Sequence, residues 1–247
     1  MAERDRTRSD EGRTAAEGTL DRYGEPRSDR LTRRQVVEAA IGLVDREGLG
    51  ALSIRKLAGE LQVPPMTLYG VIDNKEHLED LLIDHILAGV ALDLRAGGWQ
   101  ARLSEIARRV RDVMRAHPEV TPLMAGRGSL GPCFLDVVDA MVGTLQEAGF
   151  DADSAATGAM AVLGYTIGYH LQPTAVPPGA PVPRPDAPVD RAPLRAFLAS
   201  LPPDRFPHIA TAHEHLWPQG DDVVFEHGLT ALVAGLGDLH AAATPPG

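Results

Sequence analysis

Four residues near the C-terminal end, His208, His213, Glu214 and His215, are of the types that bind transition metals. A zinc-binding helix places two histidines at i and i+4, so that both rings reach one ion. Here His208 is five residues before His213, and His213 is two before His215, so on a helix the rings diverge. They read as surface or pocket histidines, with no metal site. Gly126-Arg127-Gly128-Ser129-Leu130-Gly131 matches G-x-G-x-x-G, the spacing that lets backbone amides cradle a pyrophosphate. That chemistry needs a strand just before the glycines, inside a βαβ unit. Glu119 to Ala125 contains Pro122 and has no sheet to join, so the motif reads as a loop. No G-x-S-x-G occurs and no Ser/His/Asp arrangement stands out. The expectation is a protein that is not an enzyme and carries no cofactor.

The informative residues lie between Leu52 and Lys75. Ile54, Leu57, Ala58 and Leu61 recur at i, i+3, i+4 and i+7, the spacing of one buried helix face. Ser53 precedes them as a cap, while Arg55 and Lys56 point away from the stripe. A turn follows at Gln62-Val63-Pro64, and Pro65 suits the first position of a second helix reaching about Val71. That helix carries Leu68 and Ile72 inward and leaves Met66, Thr67 and Tyr69 outward. A short helix held against a partner with its first residues exposed is the geometry that enters a DNA major groove. Asp73 and Asn74 can cap the helix beginning at Lys75.

From Leu31 to about Leu92 the chain resembles the tetracycline-repressor family of transcriptional regulators. The matching run is a first helix ending at Glu47, then Gly48, LSIRKLAGEL, VPPMTLY and NKEHLEDLL. The resemblance implies that Ser53, Arg55, Tyr69 and Lys75 hold the phosphate backbone of double-stranded DNA. It also implies that Thr67, with Pro65 and Met66, faces base edges. Cations, hydroxyls and helix-terminal amides fix register, and a short side chain such as threonine meets a thymine methyl or a base edge. Gly70 and Val71 depart from the pattern, standing where relatives carry an aromatic or polar residue and a histidine or tyrosine. Gly70 also weakens a short helix by about 1 kcal/mol relative to alanine.

Composition permits this reading without demanding it. The chain has 247 residues, 44% hydrophobic, with a net charge of −10. Between Arg27 and Lys75, eight cations face six acids, so this segment is +2 and the remainder −12. Phosphates respond to the local field, and acid elsewhere discourages non-specific binding. One cysteine, Cys133, excludes an intrachain disulfide framework. With no membrane-length apolar run and a polar N-terminus, the expectation is a soluble, cytoplasmic protein with no membrane partner.

In chain order, residues 1–28 are charged and Gly-rich and are expected to be a disordered arm, with Arg27, Arg30, Arg33 and Arg34 nearest the folded part. Residues 29–76 form the helix-turn-helix domain, opening with a helix that Thr32 caps and Gly48 ends. Residues 77–243 form a helical body for ligand binding and dimerisation. Its helices run from Lys75 to about Gly89, through Ile106 and Met114 to about His117-Pro118, from Phe134 through Leu145 to near Gly149, and over Ser154 to Gln172, Phe206 to Trp217 and Asp222 to Leu239. Pro173 to Pro193 holds eight prolines in 21 residues and reads as a surface loop or gate. The small residues of 154–172 allow close helix approach, so this stretch is a candidate dimer face. The fold class is all-α.

The body resembles the branch of the tetracycline repressor itself, through RAHPEVTPLMAGRGSLGP, EAGFDADSA, LGYTIGYHLQ, FPHIATAHEHL and FEHGLTALVAGL. This implies a homodimer joined through helices at roughly 154–172 and 222–240, with an effector cavity in each body. Met114, His117, Met124, Phe134, Val138, Met141, Met160, Tyr165 and Tyr169 lie on helices that line the family's cavity. Methionine and phenylalanine at such spacing also serve as plain core. His117 stands out because it precedes Pro118 at a helix end, where relatives have a hinge residue facing the effector. The expected function is a homodimeric, ligand-responsive repressor of a palindromic operator. The alternative is a dimeric small-molecule-binding protein whose DNA-reading head has degenerated.

Overall fold

The computed structural model describes residues 31–94, 97–126, 130–172, 190–216 and 221–243, and every regular element among them is helical. The arm with Arg27 and Arg30, the middle of the glycine motif and residues 173–189 of the proline-rich stretch lie outside the described residues. The chain divides into two units between His85 and Ile86, within a helix, and Leu130 and Gly131 group with the first unit. The sequence reading sets this boundary at 76/77, just inside the start of the same helix.

The first unit opens with α1 (Arg33–Glu47), where the Thr32 hydroxyl accepts from the amide of Gln35 and the Gln35 side chain returns to the Thr32 amide. This reciprocal cap satisfies two free donors at once. Gly48, at φ 79°, ends the helix in a conformation that a side chain would strain. Val36, Val37, Ala40, Ile41, Leu43 and Val44 are all buried, the wide apolar face their spacing requires. Next come α2 (Ile54–Glu60), α3 (Pro65–Leu68) and α4 (Lys75–Leu87). Arg46–Glu60 at 2.9 Å, and Lys56 with Glu47, tie α1 to α2 across their exposed edge.

The second unit begins late in α4 and contains α5 (Trp99–Ala116), α6 (Pro122–Gly126), α7 (Pro132–Gln146), α8 (Ala152–His170), α9 (Ala192–Ala199), α10 (Pro207–Ala212) and α11 (Asp221–Ala243). Helices α5, α7, α8 and α11 pack on one another around Leu103, Ile106, Val110, Met114, Met141, Leu145, Val162, Phe225 and Leu229, all buried. Asp151 caps α8 by accepting from Ser154, and that bond holds the Asp151 carboxyl below its usual range. Two elements of this unit differ from the sequence reading. Helix α10 stops at Ala212 rather than near Trp217, so His213, Glu214 and His215 occupy a turn. The short α6 forms because Pro122 sits where a missing amide hydrogen costs nothing.

Candidate nucleic-acid interface and body site

The turn between α2 and α3 has a defined geometry. The Val63 amide bonds to the Ala58 carbonyl at 3.0 Å and the Gln62 amide to that of Gly59 at 3.1 Å. This is the Schellman pair that closes a helix, with Gln62 at φ 55° in the left-handed position. The motif reverses the chain within three residues and presents α3 across α2. Only Pro65–Leu68 is α-helical; Gly70 and Val71 continue as turns bonded to Thr67 and Leu68. The helix is thus one turn shorter than its hydrophobic pattern implies, with glycine at the point where it loosens.

The faces of this segment match its sequence. Leu68 and Ile72 are buried, whereas Met66 is 77% and Tyr69 49% exposed, with Pro65 and Thr67 exposed beside them. Burying Leu68 and Ile72 each contributes roughly 1.5–3 kcal/mol, and this holds the exposed side chains outward. Ser53 caps α2 by accepting from Lys56 at 3.3 Å, which leaves its hydroxyl hydrogen to donate elsewhere. Arg55 is exposed with no ion pair among the described residues. Lys75 is exposed and lies 3.5 Å from Glu79, a pairing that a phosphate can replace. Asn74 accepts from the His77 amide at 2.7 Å and thereby starts α4.

In the body, the end of α5 is fixed by Thr121, whose buried hydroxyl lies 3.1 Å from the Met114 carbonyl and 3.0 Å from that of His117. The His117 ring keeps a buried Nδ1 with no hydrogen-bond partner. Met114 and Met141 are fully buried, and Met124, Phe134, Val138, Tyr165 and Tyr169 are half-buried. Met160 differs: it is 52% exposed, outside the buried face of α8 that Ala155, Gly158, Ala159, Val162, Leu163 and Thr166 form. The Tyr165 hydroxyl donates to the carbonyls of Phe225 at 3.0 Å and Val224 at 3.3 Å, and burial pushes its phenol upward.

Sequence reading missed an ionic ladder between α5 and α11. Arg108 holds Glu226 through two bonds of 2.9 and 2.8 Å, and Arg111 and Arg115 share one oxygen of Asp222 at 2.6 and 2.8 Å. Arg111 is only 5% exposed, with its guanidinium 4.3 Å from the Phe225 ring centre. The bond from Arg111 holds Asp222 below its usual range, and that from Arg108 does the same for Glu226. Its only trace in the sequence is arginine at i, i+3 and i+7 on one helix and acid at i, i+4 on another. Among the described residues no group of three or more His, Cys, Asp or Glu side chains is placed to hold a metal, and no helix is long and apolar enough to cross a membrane.

Residues 93–239 match the family model described as tetracyclin repressor-like, C-terminal domain. The chain is 33% identical over 140 residues to the HTH-type transcriptional repressor DrrR1 of Streptomyces coeruleorubidus, covering 56% of this chain and 52% of that one. It therefore spans about half the length of the first curated relative it matches. It is 29% identical over 210 residues to the class A tetracycline repressor protein from transposon 1721 of Escherichia coli, covering 84% of this chain and 91% of that repressor. The Streptomyces coelicolor protein ActR, solved in complex with actinorhodin, superposes with a TM-score of 0.75 at 29% identity, covering 87% of this chain and 99% of that one.

Proposed function

This chain belongs to the tetracycline repressor-like family, and from that premise we propose that it is a homodimeric, ligand-responsive transcriptional repressor acting in the cytoplasm on a palindromic operator. The observation that carries the reading is the outward row of Pro65, Met66, Thr67 and Tyr69 over buried Leu68 and Ile72, flanked by Ser53, Arg55 and Lys75. Thr67, Pro65 and Met66 face base edges; Ser53, Arg55, Tyr69 and Lys75 hold phosphates. In a two-fold dimer, the two copies of this segment read half-sites about one helical turn apart. Residues 29–76 carry the DNA reading and 77–243 the ligand binding and dimerisation.

The dimer face is the outer side of α8 and α11. A side chain built at Gly164, Gly168 or Gly235 would meet nothing within 4 Å of its own chain, so their smallness serves no packing inside the protomer. Met160, Val223 and Leu239 add exposed apolar area to the same two helices. The effector is a small, largely apolar molecule held by Met114, His117, Met124, Phe134, Val138, Met141, Tyr165 and Tyr169, with the unpartnered Nδ1 of His117 as a polar anchor. Met160 belongs to the dimer seam that closes the chamber rather than to its wall. The effector releases DNA because it binds the released form better, since only differential affinity moves an equilibrium.

The test is selection by the purified protein from a pool of random duplexes. Enrichment of one palindrome, and its release by a metabolite mixture, supports the reading. A protein with no preference among duplexes at any ionic strength sinks it and leaves the dimeric small-molecule-binding alternative, whereas a monomeric protein sinks both.

A further inference from the structure

The outward face of α3 carries an unexpected set of side chains for a surface that reads DNA. Bases are told apart in the major groove chiefly by forked hydrogen bonds: arginine or lysine on guanine, asparagine or glutamine on adenine. A carboxylate on cytosine completes the set. Between Pro65 and Val71 none of these residue types occurs. Pro65, Met66, Thr67 and Tyr69 are exposed, Gly70 has no side chain to offer, and Val71 is half-buried. At 77%, Met66 is the most exposed large apolar side chain among the described residues. The nearest groups able to fork lie off the helix. Gln62 stands in the left-handed turn before it, and Asp73 and Asn74 follow it, with the Asn74 oxygen held by the His77 amide at 2.7 Å. The Thr67 hydroxyl has no partner among the described residues, and one hydroxyl supplies a single bond rather than a fork.

We propose that this protein selects its operator by apolar contact: Met66 and Pro65 recognise the C5-methyl groups of thymine in each half-site, and Thr67 adds one hydrogen bond. The inference rests on the DNA-reading role of α3 argued above and names what that helix reads. The thymine methyl is the one apolar group that base edges present in the major groove. Bringing it against the Met66 side chain removes both from water, and that is the source of the preference. Methionine has three rotatable bonds, so it follows the methyl to its position without a fixed fork geometry. Affinity then comes from the phosphate contacts of Ser53, Arg55, Tyr69 and Lys75, and selectivity from a contact that carries no charge. Such a contact releases no counterions, so the preference for thymine stays constant with salt while total affinity falls.

The test uses the full-length protein and the palindrome it selects, with deoxyuridine replacing each thymine in turn and binding followed by fluorescence anisotropy at two salt concentrations. Deoxyuridine pairs as thymine does and lacks only the methyl. At the thymine facing Met66 it is expected to weaken binding about fourfold, the burial of one methyl, and by the same factor at both salt concentrations. Cytosine at that position should bind more weakly still, and 5-methylcytosine should regain the factor due to the methyl. Met66→Ala should bring the thymine-to-deoxyuridine ratio below about twofold with the salt slope unchanged, and Met66→Leu, which keeps the apolar bulk, should retain the ratio. The inference is overturned by a selected half-site without thymine, by deoxyuridine binding as well as thymine at every position, or by Met66→Ala keeping the full ratio. It is also overturned by a larger loss on 7-deazaadenine, which lacks the N7 that a glutamine fork needs and so assigns the reading to Gln62. An operator that is bound but indifferent to the methyl removes this inference alone. Selection of no operator removes the regulator reading and this inference with it.

Discussion

The Tyr165 hydroxyl occupies the space that a side chain at Gly228 would need. The tyrosine reaches from α8 under the first turns of α11, stacks on Phe225 at 5.6 Å between ring centres, and donates to the Phe225 carbonyl. Glycine at 228 is what allows the backbone of α11 to come so close. We predict that Gly228→Ala lowers stability by about 1–3 kcal/mol through overpacking. Tyr165→Leu, which removes the far end of the ring, should make the second substitution much cheaper. A double-mutant cycle in urea measures the coupling, and strictly additive effects would contradict this interlock.

The ladder of Arg108, Arg111 and Arg115 against Asp222 and Glu226 makes an acid-sensitive clasp. Both carboxyls are held below their usual range, Asp222 chiefly by the bond from Arg111 and Glu226 by that from Arg108. A group whose folded pKa is depressed stabilises the fold above its unfolded pKa, near 4, and loses that contribution as pH falls through the folded value. Stability should therefore decline below about pH 4, and less steeply in Asp222→Asn with Glu226→Gln. The effect is small, because Asp222 is largely exposed and solvent screens it. Urea midpoints across the acid range check this; an unchanged pH slope in the double variant argues against the clasp.

On the DNA side, Tyr69→Ala and Lys75→Ala should each weaken binding to all duplexes. Each should also flatten the slope of log affinity against log salt by roughly one unit for every phosphate the variant no longer engages. Arg55→Ala should weaken binding the most, since Arg55 has no ion pair among the described residues to exchange, whereas Lys75 must first leave Glu79. Salt titrations on the selected palindrome decide the matter, and a slope unaltered in all three variants would remove these residues from the interface.

The open space around Gly164 makes it a probe of association. Gly164→Glu adds a charge to the outer face of α8 without a clash inside the protomer. Light scattering should show a monomer whose helical circular dichroism is retained. A dimer that persists through this change places the subunit interface elsewhere.

Much of this protein was readable from local sequence. Thr32, Ser53 and Asn74 start α1, α2 and α4, each by a hydroxyl or amide reaching an N–H three residues on. Leu68 and Ile72 inward, with Met66, Thr67 and Tyr69 outward, follow from the four-residue repeat of a helical turn. Such relations span fewer than five residues, so the chain carries them wherever it goes. The tertiary structure decided what depends on crossings of distant segments. Arg111 lies buried over Phe225 and bonds to Asp222, 111 residues away. Gly228 accommodates a tyrosine from another helix, and Met160 lies outside the face of α8 that packs on its neighbours. The early end of α10 turns His213–His215 toward Arg195 and makes a cavity of residues that, as a helix, would have scattered. Helical period says which residues share a face, but only the packing of one helix on another says what that face meets.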